Sequence, residues 1–221
     1  MGFLDLDEAL SLAGNRVDRV RQSLYYCDVE FSRKSRHLMR QDVHSSAYVL
    51  VAAAVEKFVN DVVEATITEI NSRGLGCRDA IYSLFSITMG NEFLSLQDVR
   101  GLKMWEKRVE VLAAAESAAP LRLSSANIPL DGRTIRPAHL NTIWRVFGLS
   151  GGSLPDPRTG LALTTIADLR NLVAHGEEET ATVAGMHSID DTLRLLDRID
   201  GLVVHFHAAT EDYLSSRAYL R

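Results

Sequence analysis

Three polar side chains near the end of one helical run have the types that acid–base chemistry requires. Arg170, Asn171 and His175 lie within residues 166–179, where apolar residues recur at helical spacing. An imidazole takes up and releases protons near neutral pH, whereas a guanidinium keeps its positive charge. Asn171 precedes His175 by four residues, so the two share a helix face and the amide can orient the imidazole. The three residues are therefore a candidate catalytic site.

The same spacing also has an interpretation without chemistry. Arg170 and His175 are five positions apart, which on an ideal helix directs the two side chains roughly 140° apart. Gly176 relaxes this objection, since glycine lets the chain turn away directly after His175. The competing interpretation pairs Arg170 with Asp168 or with the glutamates at 177–179 and leaves His175 as a helix cap. Spacing alone favours that competing interpretation.

The run LRNLVAHGE at residues 169–177 resembles the C-terminal motif of the HEPN superfamily. In that motif an arginine is followed by a polar residue, and four to six residues separate the arginine from a histidine. Arg170, Asn171 and His175 match this order, with four residues between the arginine and the histidine. The motif also stands before a long final helix, as it does in that family.

The resemblance implies an all-α bundle that cleaves RNA without a metal ion or other cofactor, of a kind common among toxins and defence or stress-response proteins. By this resemblance His175 acts as general base or acid in a transesterification by the ribose 2′-hydroxyl, and Arg170 holds the scissile phosphate. Asn171 positions one of the two. The family typically dimerises so that two motifs face one cleft, which places the helix of residues 161–175 at a homodimer interface.

Two glutamates affect how far the resemblance extends. Some family members carry a tyrosine two positions after the histidine, which a partner nucleotidyltransferase AMPylates. This chain has Glu177 there, so that partner is not expected, and an antitoxin or another regulatory protein is the partner class that a toxin requires.

Glu56 interrupts an apolar run, and two interpretations stay open: support of the motif, or an exposed glutamate beside Lys57.

Apolar spacing predicts the helices that position the motif. An amphipathic helix is expected over residues 4 to about 38, and a wide apolar face predicts a central core helix from 45 to about 72. Further helices are expected over 79–88 and 95–119, and from Pro137. The motif helix is expected to begin between 161 and 165, with Thr165 and Asp168 as its capping pair. A last helix is predicted from 188 to about 214.

Turn residues predict the remaining segments. Pro129 and the pair Asp131-Gly132 indicate an irregular or short hairpin-like insertion at 121–136, and residues 150–160 are rich in glycine and proline and predict a loop. The expectation is one HEPN-like domain over residues 1–221, an all-α bundle of five to seven helices. The apolar seam of the last helix, from Leu195 to Tyr213, suits either the bundle core or a dimer surface.

Composition limits the class of protein. With 24 Lys and Arg against 29 Asp and Glu, the net charge of −5 lacks the overall basic character of a non-specific nucleic-acid binder, so any RNA contact must be local. Two cysteines offer neither a disulfide framework nor a thiolate zinc site. An acidic start without a signal-peptide pattern, and no apolar run of about 20 residues, predict a cytoplasmic protein without a membrane contact.

Other motifs are weaker candidates. The run GLSGG places Ser150 in a nucleophile-elbow pattern, but that motif requires a strand before it, and here a helix is expected. His205 and His207 lie on different faces of the last helix, and a surface position is expected for both.

Three functional hypotheses therefore remain. The first is a homodimeric, metal-independent endoribonuclease of HEPN type. The second is a HEPN-type bundle that binds a nucleotide, RNA or protein partner without cleavage, which the glutamates at 177–179 favour because they repel phosphates. The third is a scaffold bundle that associates through the seam of the last helix.

Overall fold

A computed structural model of the chain describes residues 3–30, 37–128, 130 and 134–221, and the side chain of residue 91 is not described. These residues form nine α-helices and two short 3₁₀ turns, and no β-strand occurs among them. The helices are α1 (Leu4–Glu30), α2 (His37–Ser72), α3 (Tyr82–Thr88), α4 (Gly90–Asp98), α5 (Leu102–Ala115), α6 (Pro137–Phe147), α7 (Pro157–Ala174), α8 (Thr180–Met186) and α9 (Ile189–Ser215). The 3₁₀ turns are Cys77–Asp79 and Ser125–Asn127. The all-α bundle expected from the sequence is confirmed.

Helix α2 is the central element of the bundle, as its wide apolar face predicts. It packs against α1, α7, α8 and α9, and its buried positions recur on several sides, including Val51, Val55, Phe58, Val59 and Val62. The seam of α9 faces the interior, where Ile199, Leu202, Phe206 and Tyr213 are buried. The hypothesis of a scaffold that associates through this seam is therefore wrong, because core packing already covers most of it.

Several helix bounds differ from the sequence prediction. The predicted first helix is described as α1 up to Glu30, residues 31–36 lie outside the described part, and His37 belongs to α2. The predicted 95–119 helix is divided into α4 and α5, since Gly101 adopts a positive φ of 63° between them. Helix α8 was not predicted, and together with the division into α4 and α5 it brings the described residues to nine helices instead of five to seven.

The segment before α6 is irregular, in agreement with the sequence prediction of an insertion. Residues 121–128 contain only the 3₁₀ turn at Ser125–Asn127, and the hairpin signals Pro129 and Asp131-Gly132 fall outside the described residues. Ile135 is buried in the core, which fixes the end of the insertion against the bundle. In the described helices, none combines the length and the apolarity that a membrane span needs.

Candidate active site

Helix α7 begins earlier than its sequence pattern indicates. The Asp156 carboxylate accepts hydrogen bonds from the backbone N–H groups of Arg158 and Thr159, at 2.7 and 3.1 Å, and Pro157 occupies the first helical position. This cap is a strong helix start, since the carboxylate satisfies two free N–H groups and the fixed φ of proline suits a first turn. The loop predicted for 150–160 therefore ends at Asp156. The predicted capping pair Thr165 and Asp168 is wrong, because both lie inside the helix.

One face of α7 is buried and fixes the direction of the polar residues. Ala162, Leu163, Ile166, Ala167 and Leu169 are buried, and the helix packs against α2 and α9. Arg170 and Asn171 come next in the sequence after Leu169 and lie half-buried at the edge of this buried face. They are therefore held by a rigid helix and still reach solvent, as a catalytic group on a packed scaffold must.

The end of α7 is set by a glycine in the left-handed region. Gly176 has a φ of 64°, and its N–H donates to the Val173 carbonyl at 3.2 Å. The next N–H, that of Glu177, donates to the Leu172 carbonyl at 3.0 Å. These two bonds form a Schellman motif, which turns the chain away after the cap residue His175. His175 is exposed at the helix end, as the sequence interpretation of Gly176 requires.

Asn171 is tied to the arginine and not to the imidazole. Its Oδ1 accepts a hydrogen bond from Arg170 Nη1 at 3.1 Å, and Thr134 Oγ1 donates to the same oxygen at 3.5 Å. Between Asn171 and His175 the hydrogen bond is between backbone groups, at 3.0 Å. The expectation that the Asn171 amide orients the imidazole is therefore wrong in this structure. The amide instead restricts the guanidinium of Arg170.

The Asp168 carboxylate, which could have neutralised Arg170, is paired with another arginine. Asp168 Oδ1 accepts from Arg136 Nη2 at 2.6 Å, so this carboxylate binds the residue just before α6. The glutamates at 177–179 are exposed, and within the described residues Arg170 forms no ion pair. The competing interpretation that pairs Arg170 with Asp168 is therefore wrong. Arg170 remains a half-buried cation available to an anion.

The end of the insertion contributes to this site, which the sequence analysis did not foresee. Thr134 and Arg136 lie beside the last turns of α7, where they contact Asn171 and Asp168. The signal available in the sequence was the single basic residue before Pro137, and one arginine does not indicate which acid it contacts.

Comparison with known proteins decides the family. A family model described as RiboL-PSP-HEPN matches residues 28–209, which include α2 to α8 and most of α9. The chain belongs to this HEPN family. No curated protein and no solved structure matches it.

In this HEPN chain Glu56 is neither an exposed glutamate nor, among the described residues, hydrogen-bonded or ion-paired with Arg170 or His175. It is half-buried on α2, and its neighbour Lys57 is paired with Asp61 instead. Within the described residues the Glu56 carboxylate has no hydrogen-bond or ion-pair partner. Its support of the motif stays a prediction.

The other candidate residues of this HEPN chain have structural roles. Ser150 lies in a loop, as expected. His205 stacks on Trp144 with their rings 5.8 Å apart and nearly parallel. His207 is buried and its Nε2 lies 3.0 Å from Asp7 Oδ1, so the surface position expected for it is wrong. Among the described residues no cluster of three or more His, Cys, Asp and Glu has the geometry of a metal site.

His44 lies at the centre of a buried polar network of the HEPN bundle. The Thr192 hydroxyl donates to the Ser188 carbonyl at 3.1 Å, so its oxygen must accept from its other neighbours. Those neighbours are His44 Nε2 and the Tyr48 hydroxyl, each at 2.8 Å. The three side chains thus form a buried hydrogen-bonded cluster that holds the imidazole of His44 in place.

Burial lowers the pKa of His44 to about 4. The electrostatic effects of Arg40 and His187 act in the same direction, and the charge of Asp28 opposes them. The folded protein therefore disfavours the imidazolium form of this histidine.

Proposed function

We propose that this chain is a metal-independent endoribonuclease of HEPN type that cleaves RNA by transesterification. The observation that carries the proposal is the state of Arg170, which is half-buried, held by Asn171 at 3.1 Å and free of a carboxylate partner in the described chain. An arginine kept for structure alone is expected to pair with the nearest acid, and here that acid binds Arg136. Membership of a HEPN family supports the same function.

The chemistry assigned to each residue is limited to positioning and proton transfer. The ribose 2′-oxygen attacks the adjacent phosphorus, its proton passes to a base, and the bond from phosphorus to the 5′-oxygen breaks with protonation of that oxygen. His175 serves as base or acid, because an imidazole has one nitrogen that accepts and one that donates a proton. Arg170 binds the non-bridging oxygens and stabilises their developing charge. The products are a 2′,3′-cyclic phosphate end and a 5′-hydroxyl end.

One motif supplies a single histidine, although the reaction moves two protons. A homodimer with the ends of two α7 helices at one cleft supplies the second histidine and a second arginine. The proposal therefore includes a dimer of this kind, and it places the exposed end of α7 at the shared cleft.

The proposed role is that of a toxin or a defence or stress effector in the cytoplasm. Such an enzyme needs control, and an antitoxin or another regulatory protein is the expected partner.

The second candidate function is a HEPN bundle that binds a nucleotide, RNA or protein partner without cleavage. The glutamates at 177–179 favour it, since three exposed carboxylates that follow Gly176 repel phosphate groups. The first function stands ahead because none of these glutamates neutralises Arg170 within the described residues.

Cleavage by purified protein tests the proposal directly. Wild type, Arg170→Ala and His175→Ala are incubated with structured and unstructured RNA in excess chelator, and the product ends are identified. Arg100→Ala and His37→Ala are matched controls, because both side chains are exposed and lie outside the motif. We expect cyclic phosphate ends with wild type and both controls, and a loss of at least a hundredfold in each motif variant.

Expression of the same set in cells adds growth and RNA integrity as readouts. If all five proteins are folded and behave alike, the assignment to Arg170 and His175 is wrong. Cleavage that stops on chelation contradicts the metal-independent chemistry, and RNA retention without cleavage by wild type supports the second candidate.

A further inference from the structure

The outer side of α1 and α2 carries one continuous groove. The two helices are antiparallel, since Asp5 shares a depression with Thr68 and Val20 shares another with Leu50. The two depressions, of about 300 and 430 Å³, meet at Lys57, which lines both. The groove therefore extends along α1 from Asp5 to Ser23, about 27 Å at 1.5 Å per helical residue.

This groove is divided by charge, and we call it the polarised groove. One half is lined by Asp5 and Glu8 of α1 together with acids of α2, and the other half by Arg16 and Arg19. These four α1 side chains form no hydrogen bond or ion pair with the described residues. Their charges are therefore free for a partner, unlike that of Arg21, which binds three aspartates on the other side of the helix.

The four charges are placed symmetrically about Leu12. Glu8 and Arg16 lie four residues before and after it, and Asp5 and Arg19 lie seven residues before and after it. Steps of four and seven residues return to the same helix face. An antiparallel pairing of two α1 helices that is centred on Leu12 therefore sets each acid opposite an arginine of the other copy.

We propose that the polarised groove is an interface between two copies of this chain, related by a two-fold axis beside Leu12. A second copy fits better than an unrelated partner because the charge pattern is complementary to itself after the rotation. Leu12 is 40 % exposed and supplies an apolar contact at the axis. The α7 cleft of the proposed enzyme is a separate surface, so this interface does not depend on the proposed function.

The size of the groove predicts a modest affinity. A length of about 27 Å and a width of roughly 20 Å across two helices give a footprint near 500 Å² for each copy. Two copies bury about 1000 Å², which lies at the lower end of specific interfaces. Most of α1 also precedes residue 28, where the family match begins, so the family match does not account for this feature. Association in the micromolar range is expected.

A cross-linking experiment tests the pairing at its axis. In a Leu12→Cys variant the two new thiols lie next to each other in the dimer, and a short bismaleimide joins them. Cys27 and Cys77 are only 1 % and 6 % exposed, so they do not compete. Val204→Cys is the matched control, since this position is 58 % exposed on α9, which packs on the Arg21 side of α1, opposite the groove. We expect covalent dimer with Leu12→Cys and at least tenfold less with Val204→Cys.

Charge reversal then tests the complementarity in the Leu12→Cys background. Arg16→Glu with Arg19→Glu is expected to reduce the cross-linked dimer at least tenfold. Adding Asp5→Arg and Glu8→Arg to that variant reverses the whole pattern and is expected to restore the dimer.

The control for net charge is Arg100→Glu with Lys103→Glu, two exposed positions outside the groove. It changes the charge by the same amount as the arginine reversal and is expected to leave cross-linking unchanged. The proposal is overturned if the arginine reversal has no effect or if the full reversal fails to restore the dimer. It is also overturned if Leu12→Cys and Val204→Cys cross-link equally. None of these readouts depends on RNA cleavage or on the α7 cleft.

Discussion

Protonation of His44 is expected to weaken the fold between pH 6.5 and 4. The imidazole is buried, its Nε2 lies 2.8 Å from the Thr192 hydroxyl oxygen, and its pKa is lowered from 6.5 to about 4. In the unfolded chain this histidine binds a proton near pH 6.5, so between the two pKa values the unfolded state holds more protons. Stability therefore falls as the pH falls through this window, and it does not change for this reason above pH 6.5.

The magnitude follows from the difference between the two pKa values. The two pKa values differ by about 2.5, which corresponds to about 3 kcal/mol because each pKa step is worth about 1.36 kcal/mol. This loss is a large fraction of the 5–15 kcal/mol that typical domains have. We therefore expect a clear change in the unfolding midpoint over this pH range.

Chemical denaturation at several pH values measures the effect, with His44→Gln as the key variant. The glutamine keeps an N–H donor for Thr192 but does not titrate, so its unfolding free energy should lose about 3 kcal/mol less than wild type between pH 6.5 and 4. His37→Gln is the control, because His37 is exposed and its replacement should follow wild type. Equal losses in wild type and His44→Gln would refute the assignment to this imidazole.

Three further predictions concern α7. Gly176→Ala places a side chain at a φ of 64°, which costs about 1 kcal/mol and should lower Tm by about 2–4 °C. The control Gly185→Ala lies inside α8 and should not lower Tm. Equal effects of the two substitutions would contradict the role of Gly176 in the turn. Asp156→Ala removes the helix cap, and denaturation should show a loss of about 1 kcal/mol, whereas no loss would show that Pro157 alone starts the helix. Asn171→Ala removes the 3.1 Å hydrogen bond to Arg170 and should slow RNA cleavage about fivefold. Thr134→Val should slow cleavage less, because its contact with Asn171 is longer. An unchanged rate in Asn171→Ala would show that Asn171 does not position the arginine.

Local signals in the sequence were sufficient for the main helices. The apolar stripe from Val51 to Val63 predicts the buried central helix, and the seam of α9 is likewise evident from its spacing. Both patterns arise from the helical period of 3.6 residues, which any packed helix must satisfy. Gly176 predicts the helix end after His175, because glycine has little penalty at positive φ.

Helix bounds were harder to predict from the sequence where no apolar spacing marks them. The first two turns of α2 carry the exposed residues Leu38 and Met39, so the buried stripe begins only later, at His44. The break between α4 and α5 comes from the positive φ of Gly101. The sequence does not predict it, because a single glycine within a helical pattern does not require a break.

The sequence by itself determined the fold class and the order Arg170, Asn171, His175 along the chain. Only the tertiary structure decided which groups those side chains contact. Asp168 is two residues from Arg170 in sequence, yet it binds Arg136, which comes from a segment more than 30 residues earlier. Such a choice depends on distances between separate elements, which helical periodicity does not encode. That Arg170 has no carboxylate partner among the described residues therefore follows from the packing of the insertion's end against α7.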